Sequence, residues 1–194
     1  MPEIYYIGGA SCSGKTTLAK TLADKYDMRC FHVDDELGEF AEDAIRRECP
    51  VALKHSRMDL DSFYMRDPEV QAEELIAFYH EIFPAVMRTI AAQFGSEESV
   101  IAEGCAFLPE LMKEAGVDSG HYRCMIADES FRNEHFRERE WVDFFLAECK
   151  DKEKAFSLWM QREALFAEKV RTQALALGYE VYRNNNSPEW KINR

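Results

Sequence analysis

Gly9-Ala10-Ser11-Cys12-Ser13-Gly14-Lys15-Thr16 decides how this chain is read. A glycine, four free positions and then Gly-Lys-Thr form the pattern of a phosphate-binding loop. Its glycines allow backbone conformations that turn successive N–H groups inward, so that they cradle anionic oxygens. A helix starting there adds unpaired N–H groups and the positive end of its dipole. The pattern makes Gly9, Ser11, Cys12, Ser13, Gly14, Lys15, Thr16 and Thr17 candidate nucleotide-binding residues. Lys15 is placed to reach β- and γ-phosphates, and the Thr16 hydroxyl to ligate magnesium.

The flanks agree with the loop. Ile4-Tyr5-Tyr6-Ile7 reads as a buried strand. After the loop, Leu18, Leu22 and Tyr26 recur at helical spacing, with Ala19 and Ala23 beside them. Strand, glycine loop and helix therefore follow in the required order.

Further along, Met28–Val33 reads as a second strand that runs into Asp34-Asp35. A polar helix from about 36 to 48 stops before Pro50. Residues 50–68 show no clean period and read as an irregular, substrate-facing excursion. A long helix from Pro68 carries Leu75, Phe78, Ile82, Val86 and Ile90 on one face, with a kink expected at Pro84. Ser99–Ala102 gives a third strand ending at Glu103-Gly104, and Tyr122–Ala127 a fourth. Residues 129–177 read as nearly continuous helix with a break near Cys149-Lys150-Asp151. Gly178 stops that helix before a fifth strand, Tyr179–Tyr182, and a polar loop at Asn184-Asn185-Asn186.

Strands alternating with helices imply a three-layer α/β/α fold with a five-stranded parallel sheet. Ligands in such sheets sit beyond the carboxyl ends of the strands. Polar groups at all those ends are expected to converge on one crevice. No linker or repeat breaks the chain, so residues 1–194 read as one domain. Its core is expected at 1–49, 96–128 and 178–194, with a helical lid at about 129–150.

Composition narrows the partners. The formal net charge is −12, which leaves no basic surplus for a nucleic-acid polyanion. No apolar run reaches the length of a membrane span. The cysteines at 12, 30, 49, 105, 124 and 149 form neither a zinc pattern nor a small disulfide framework. Met1-Pro2-Glu3 runs straight into the first strand, with no room for a signal peptide. The reading expects a cytoplasmic protein with reduced thiols. Cys12 reads as a small side chain tolerated in the loop, or as a redox-active thiol.

In order and size, the whole chain resembles the nucleoside and nucleotide kinase-like branch of P-loop proteins. The resemblance rests on the loop Gly9–Thr17, His32-Val33-Asp34-Asp35, Ile101-Ala102-Glu103-Gly104 and the arginine-bearing stretch Phe131–Arg139. It implies strand order 2-3-1-4-5, an acceptor site between the second and third strand ends, ATP and magnesium as cofactors, and a helical lid. By the same resemblance Asp34, with Asp35 as runner-up, would orient or deprotonate the acceptor hydroxyl; a helix N-cap is the plain alternative. Glu103, where related proteins often have Asp and uridine-kinase-like members have Glu-Gly, would associate with magnesium or touch the acceptor. Lid arginines would neutralise the moving phosphoryl group. Arg139 and Arg132, seven residues apart and so on one helix face, are the candidates, with Arg162 behind them; interleaved glutamates offer a salt-bridged surface helix instead. Asn185 stands where related kinases contact adenine. Lys54, His55, Arg57 and Arg66 would either recognise an anionic acceptor or form a solvated loop.

A GTPase is set aside because no Asn-Lys-x-Asp motif occurs, and an oligomeric motor because the chain is short. The expected function is an ATP- and magnesium-dependent kinase for a small hydroxyl-bearing metabolite. A nucleotide-binding switch without a phosphoacceptor is the alternative.

Overall fold

The structure, a computed structural model, describes residues 2–183 and 190–192. Its centre is a five-stranded sheet in the order β2-β3-β1-β4-β5, and every pairing is parallel. The strands are β1 (Glu3–Gly9), β2 (Arg29–His32), β3 (Ser99–Glu103), β4 (Tyr122–Ile126) and β5 (Glu180–Arg183). The expected order 2-3-1-4-5 is the observed one.

Strand side chains alternate between faces, and this sorts the core into layers. Tyr5, Ile7, Ile101 and Met125 pack with Ala19 and Leu22 of α1 (Lys15–Tyr26) on one face. Tyr6, Phe31, Val100, Ala102 and Ile126 pack on the other, against α2 (Leu37–Arg46), α3 (Pro50–His55), α5 (Pro68–Gln93), α6 (Pro109–Glu114) and α9 (Lys152–Ala176). A separate aromatic cluster joins α4 (Leu60–Tyr64), α7 (Glu129–Arg137), α8 (Glu140–Leu146) and the start of α9 through Tyr64, Phe136, Val142, Leu146 and Trp159. Cys12 of the phosphate loop packs against that cluster.

Two expectations need correction. Residues 50–68 are not irregular: Pro50 opens α3 at its first turn, and the Asp59 side chain caps α4 by accepting from Ser62 N at 2.6 Å. Helices of six and five residues are too short to show a 3.6-residue period. The stretch 129–177 also breaks twice rather than once. α7 ends at Arg137 and Arg139 becomes the N-cap of α8, so Arg132 and Arg139 do not share a helix face. Asn184–Asn186, with Asn185, lie outside the described residues. Among the described residues no helix is long and apolar enough to cross a membrane.

Candidate active site

The loop between β1 and α1 takes its shape from a few backbone angles. Gly9, Cys12 and Gly14 have φ of 117°, 53° and 87°. A Cβ on Gly9 would lie 2.0 Å from the Met125 carbonyl oxygen, so Gly9 lets β1 and the loop press against β4. It is not among the residues that line the cleft. Gly14 begins α1 in the left-handed region, and no acidic residue occupies the helix's first turn. The positive end of α1 is therefore left for an anionic ligand.

Ser11–Thr17 form the floor of a cleft of about 590 Å³. Lys15 is buried, and its Nζ donates to Ala10 O at 2.7 Å and to Cys105 Sγ at 3.4 Å. Burial opposes its charge, but Cys105, Glu103 and Asp34 outweigh burial and raise its pKa above the ordinary lysine value. Burial pushes the Cys105 and Cys12 thiols up as well, which keeps Cys12 protonated and argues against a redox role.

Sheet register brings the next groups together. Ile7 pairs with Glu103, and Glu103 with His32, across three adjacent strands. Neighbours in register project from the same face, so His32 Nδ1 lies 2.9 Å from Glu103 Oε1. The same oxygen accepts from Thr16 Oγ1 at 2.8 Å. A hydroxyl and a carboxylate side by side at a phosphate loop are the hard oxygen donors that suit magnesium.

The turn Val33–Glu36 continues from β2 and places Asp34 on the cleft wall. Asp35 does not line the cleft, which separates the two acids. Asp34 is exposed to solvent, yet protein around its carboxyl removes part of its hydration. That desolvation, with Glu103 and Asp35 nearby, raises its pKa above the usual carboxylate value, against the pull of Lys15 and Arg139.

From the lid, Arg139 reaches the cleft, exposed, its guanidinium 5.6 Å from the Trp141 ring centre. Arg132 does not. It is buried within α7, its Nε and Nη2 without hydrogen-bond partners among the described residues. Arg162 also lines the cleft, stacked near Tyr64 and Trp159 and bonded through Nη2 to Glu163 Oε1 at 2.5 Å.

Sequence reasoning did not single out Glu163, Tyr79 or Trp159, all of which line the cleft. Glu163 is 1% exposed, and its Oε2 has no partner. In sequence it reads as one more charge on a surface helix; no local signal separates it from the glutamates that are solvated. The cations of residues 50–68 are placed elsewhere than expected. Lys54, His55 and Arg66 all bond to Glu74 of α5, at 2.5, 2.9 and 2.5 Å, and none lines the main cleft.

The parallel sheet in the order 2-3-1-4-5, with a left-handed Gly14 opening the first helix beneath a buried lysine, is decisive for architecture. This is a three-layer α/β/α phosphate-loop fold. Similar solved structures include shikimate kinase from Bacteroides thetaiotaomicron, 15% identical, with 94% of this chain and 87% of that chain covered and a TM-score of 0.48. TT1252 from Thermus thermophilus is 19% identical, with 88% of this chain and 97% of that chain covered and a TM-score of 0.42. No protein-family model and no curated protein matches the sequence. The ends of β1, β2 and β3 supply the loop, Asp34 and Glu103 to one cleft, which Arg139 also lines.

Proposed function

We propose that this protein is an ATP- and magnesium-dependent phosphotransferase acting on a hydroxyl of a small-molecule acceptor. One observation carries the reading: a single cleft holds Lys15, Thr16 and Glu103 on one side, Asp34 on its wall and Arg139 above. Binding a nucleotide needs the loop; it does not need a further acid, Asp34, and an arginine, Arg139, lining the same cleft. That favours transfer over a switch.

The loop N–H groups and Lys15 hold the β- and γ-phosphates of ATP and place the terminal phosphorus beside the acceptor. Thr16 and Glu103 would hold magnesium, which when bound neutralises charge on the phosphate oxygens. Asp34 accepts the proton from the acceptor hydroxyl as its oxygen attacks the γ-phosphorus, the bond to the β-bridging oxygen breaks, and ADP leaves. Arg139 offsets negative charge on the moving group. The aromatic lid residues Trp141 and Phe145 flank the cleft and limit water, which would otherwise take the phosphoryl group.

The test is ADP release from Mg-ATP across a panel of alcohols, with Lys15→Ala as the comparison and circular dichroism to confirm its fold. A compound that raises release in the natural protein, but on the order of a hundredfold less in Lys15→Ala, supports the reading. Equal turnover by the two proteins would overturn it.

A further inference from the structure

Lys15 is a buried cation, and among the described residues no carboxylate forms an ion pair with it. Its Nζ carries three protons. The protein takes one to Ala10 O at 2.7 Å and one to Cys105 Sγ at 3.4 Å. A buried ammonium is ordinarily paired with an anion. Here a carbonyl and a thiol stand in for one, and the remaining proton is left for a ligand in the cleft that Lys15 lines.

The sulfur is held in place by a tightly fixed stretch of chain. Gly104 N donates to Ile7 O at 3.1 Å, and Phe107 N to Gly104 O at 3.3 Å. A Cβ on Gly104 would lie 2.6 Å from Val33 Cβ, so the turn after β3 is pressed against the turn that follows β2. Residues 105–108 are all buried. Cys105 Sγ also lies 3.7 Å from Ser11 Oγ, so one atom reaches both Ser11 and Lys15 of the phosphate loop. The backbone fixes the sulfur, and the flexible lysine comes to it.

Two acids compete for the ammonium. Glu103 and Asp34 line the same cleft and attract Lys15 electrostatically. A lysine has a flexible stem, and an ion pair with either acid would occupy a carboxylate and turn the charge away from the loop. Sulfur is a weak acceptor. It fixes the ammonium beside Ala10 O without neutralising it, so a charged phosphate oxygen is the stronger partner when it arrives.

We propose that Cys105 is a positioning residue for Lys15: its sulfur holds the ammonium at the floor of the loop, off Glu103 and Asp34, ready for the β- and γ-phosphates. The role rests on the nucleotide-binding half of the reading above, and it adds a residue that the loop pattern does not contain.

Isothermal titration of the full chain with magnesium and a non-hydrolysable ATP analogue tests this. Lys15→Ala establishes what the ammonium contributes. Cys105→Ala, which removes the acceptor, is expected to weaken the analogue at least ~10-fold. Cys105→Ser, which keeps a short stem and an acceptor, is expected to recover affinity to within about threefold of the natural protein. Adding Cys105→Ala to Lys15→Ala should change affinity less than about twofold, because a residue that acts through the lysine has nothing to act on once it is gone. Where Lys15→Ala binds too weakly to measure, the comparison of alanine with serine decides alone. Thermal melting confirms that each variant folds.

A purely structural sulfur would weaken both backgrounds alike and leave serine no better than alanine. Natural affinity in Cys105→Ala, no recovery in folded Cys105→Ser, or the same loss with and without Lys15 would overturn the positioning role alone. Failure of the natural protein to bind the analogue, or binding untouched by Lys15→Ala, would overturn the nucleotide site and the positioning role with it.

Discussion

Thr16 and Glu103, 87 positions apart, meet through a 2.8 Å hydrogen bond to Glu103 Oε1, and His32 reaches the same oxygen at 2.9 Å. The contact fixes the depth at which the loop sits against β3. It also leaves Oε2 of Glu103 the less encumbered oxygen, and gives His32 the task of orienting the carboxylate.

His32→Ala is therefore expected to leave the fold and ATP affinity nearly intact while raising the magnesium concentration needed for half-maximal turnover. Loss of an outer-shell partner of this kind typically costs about 10–100-fold in metal affinity or activity. Titrating magnesium at saturating ATP measures it. An unchanged half-maximal concentration would leave His32 no role beyond strand pairing.

Asp34 ties both activity and stability to pH. Its raised pKa means the acid must lose its proton before it can serve as base. Turnover should therefore fall as pH drops, with a midpoint above the usual carboxylate value of about 3.9. Asp34→Asn should lower the turnover number by roughly 10²–10⁴-fold and abolish that limb. For stability, the folded state holds the proton more tightly than the unfolded chain. Stability due to this group is present at low pH and lost as pH rises through the folded pKa. Asp34→Asn should therefore raise the melting temperature at pH 7 while damaging activity. A variant that loses neither activity nor the pH limb would return Asp34 to an ordinary turn residue.

Glu74 explains why the cations of residues 50–68 do not face the main cleft, and it carries its own test. Burial opposes its charge, but hydrogen bonds from Lys54, Arg66 and His55 hold its pKa down at about 2. The resulting stability is fully present above the ordinary glutamate value and lost as pH falls toward 2. Glu74→Ala strands three donors at the junction of α3, α4 and α5, and should cost about 2–4 kcal/mol in urea unfolding at pH 7. The deficit should shrink in acid. A loss below about 0.5 kcal/mol would mean the cluster is only a surface ion-pair network.

How much of this was legible in the sequence depends on whether the signal was local. The loop and the strands follow from short-range patterns: a fixed glycine-lysine spacing, β-rich runs, and acids where those runs end; the order of the strands came only with the resemblance to P-loop kinases. Asp34, Glu103 and Arg139 could be named because each stands at the end of an element or in the lid. The second break, at Glu138-Arg139, was hidden because both flanking stretches favour helix and no glycine or proline marks the join. α3 and α4 were hidden by brevity. Glu163 and Gln71 were hidden for a deeper reason: a polar residue inside a helix reads as solvent-facing, and only tertiary packing buries it. The aromatic wall of Tyr64 and Trp159, whose ring centres are 4.5 Å apart, likewise joins segments distant in sequence.

Gly8 and Gly9 test the steric basis of the loop without touching a ligand. A Cβ on Gly8 would lie 2.1 Å from the Phe107 carbonyl oxygen and 2.4 Å from the Tyr122 hydroxyl oxygen. The Phe107 carbonyl and the Tyr122 hydroxyl are themselves bonded at 2.8 Å, so neither can withdraw without breaking a buried hydrogen bond. Gly9 faces backbone atoms of Met125 and also has φ of 117°, where an L side chain adds conformational strain. Gly8→Ala and Gly9→Ala should each cost at least about 2 kcal/mol in urea unfolding, the larger loss falling on Gly9, where clash and strain add. Gly38→Ala, where an added Cβ meets nothing within 4 Å, is the control, and its helical position on α2 should make it neutral to stabilising. If Gly9→Ala were as stable as Gly38→Ala, the close approach of β1 to β4 would not be what holds the phosphate loop in place.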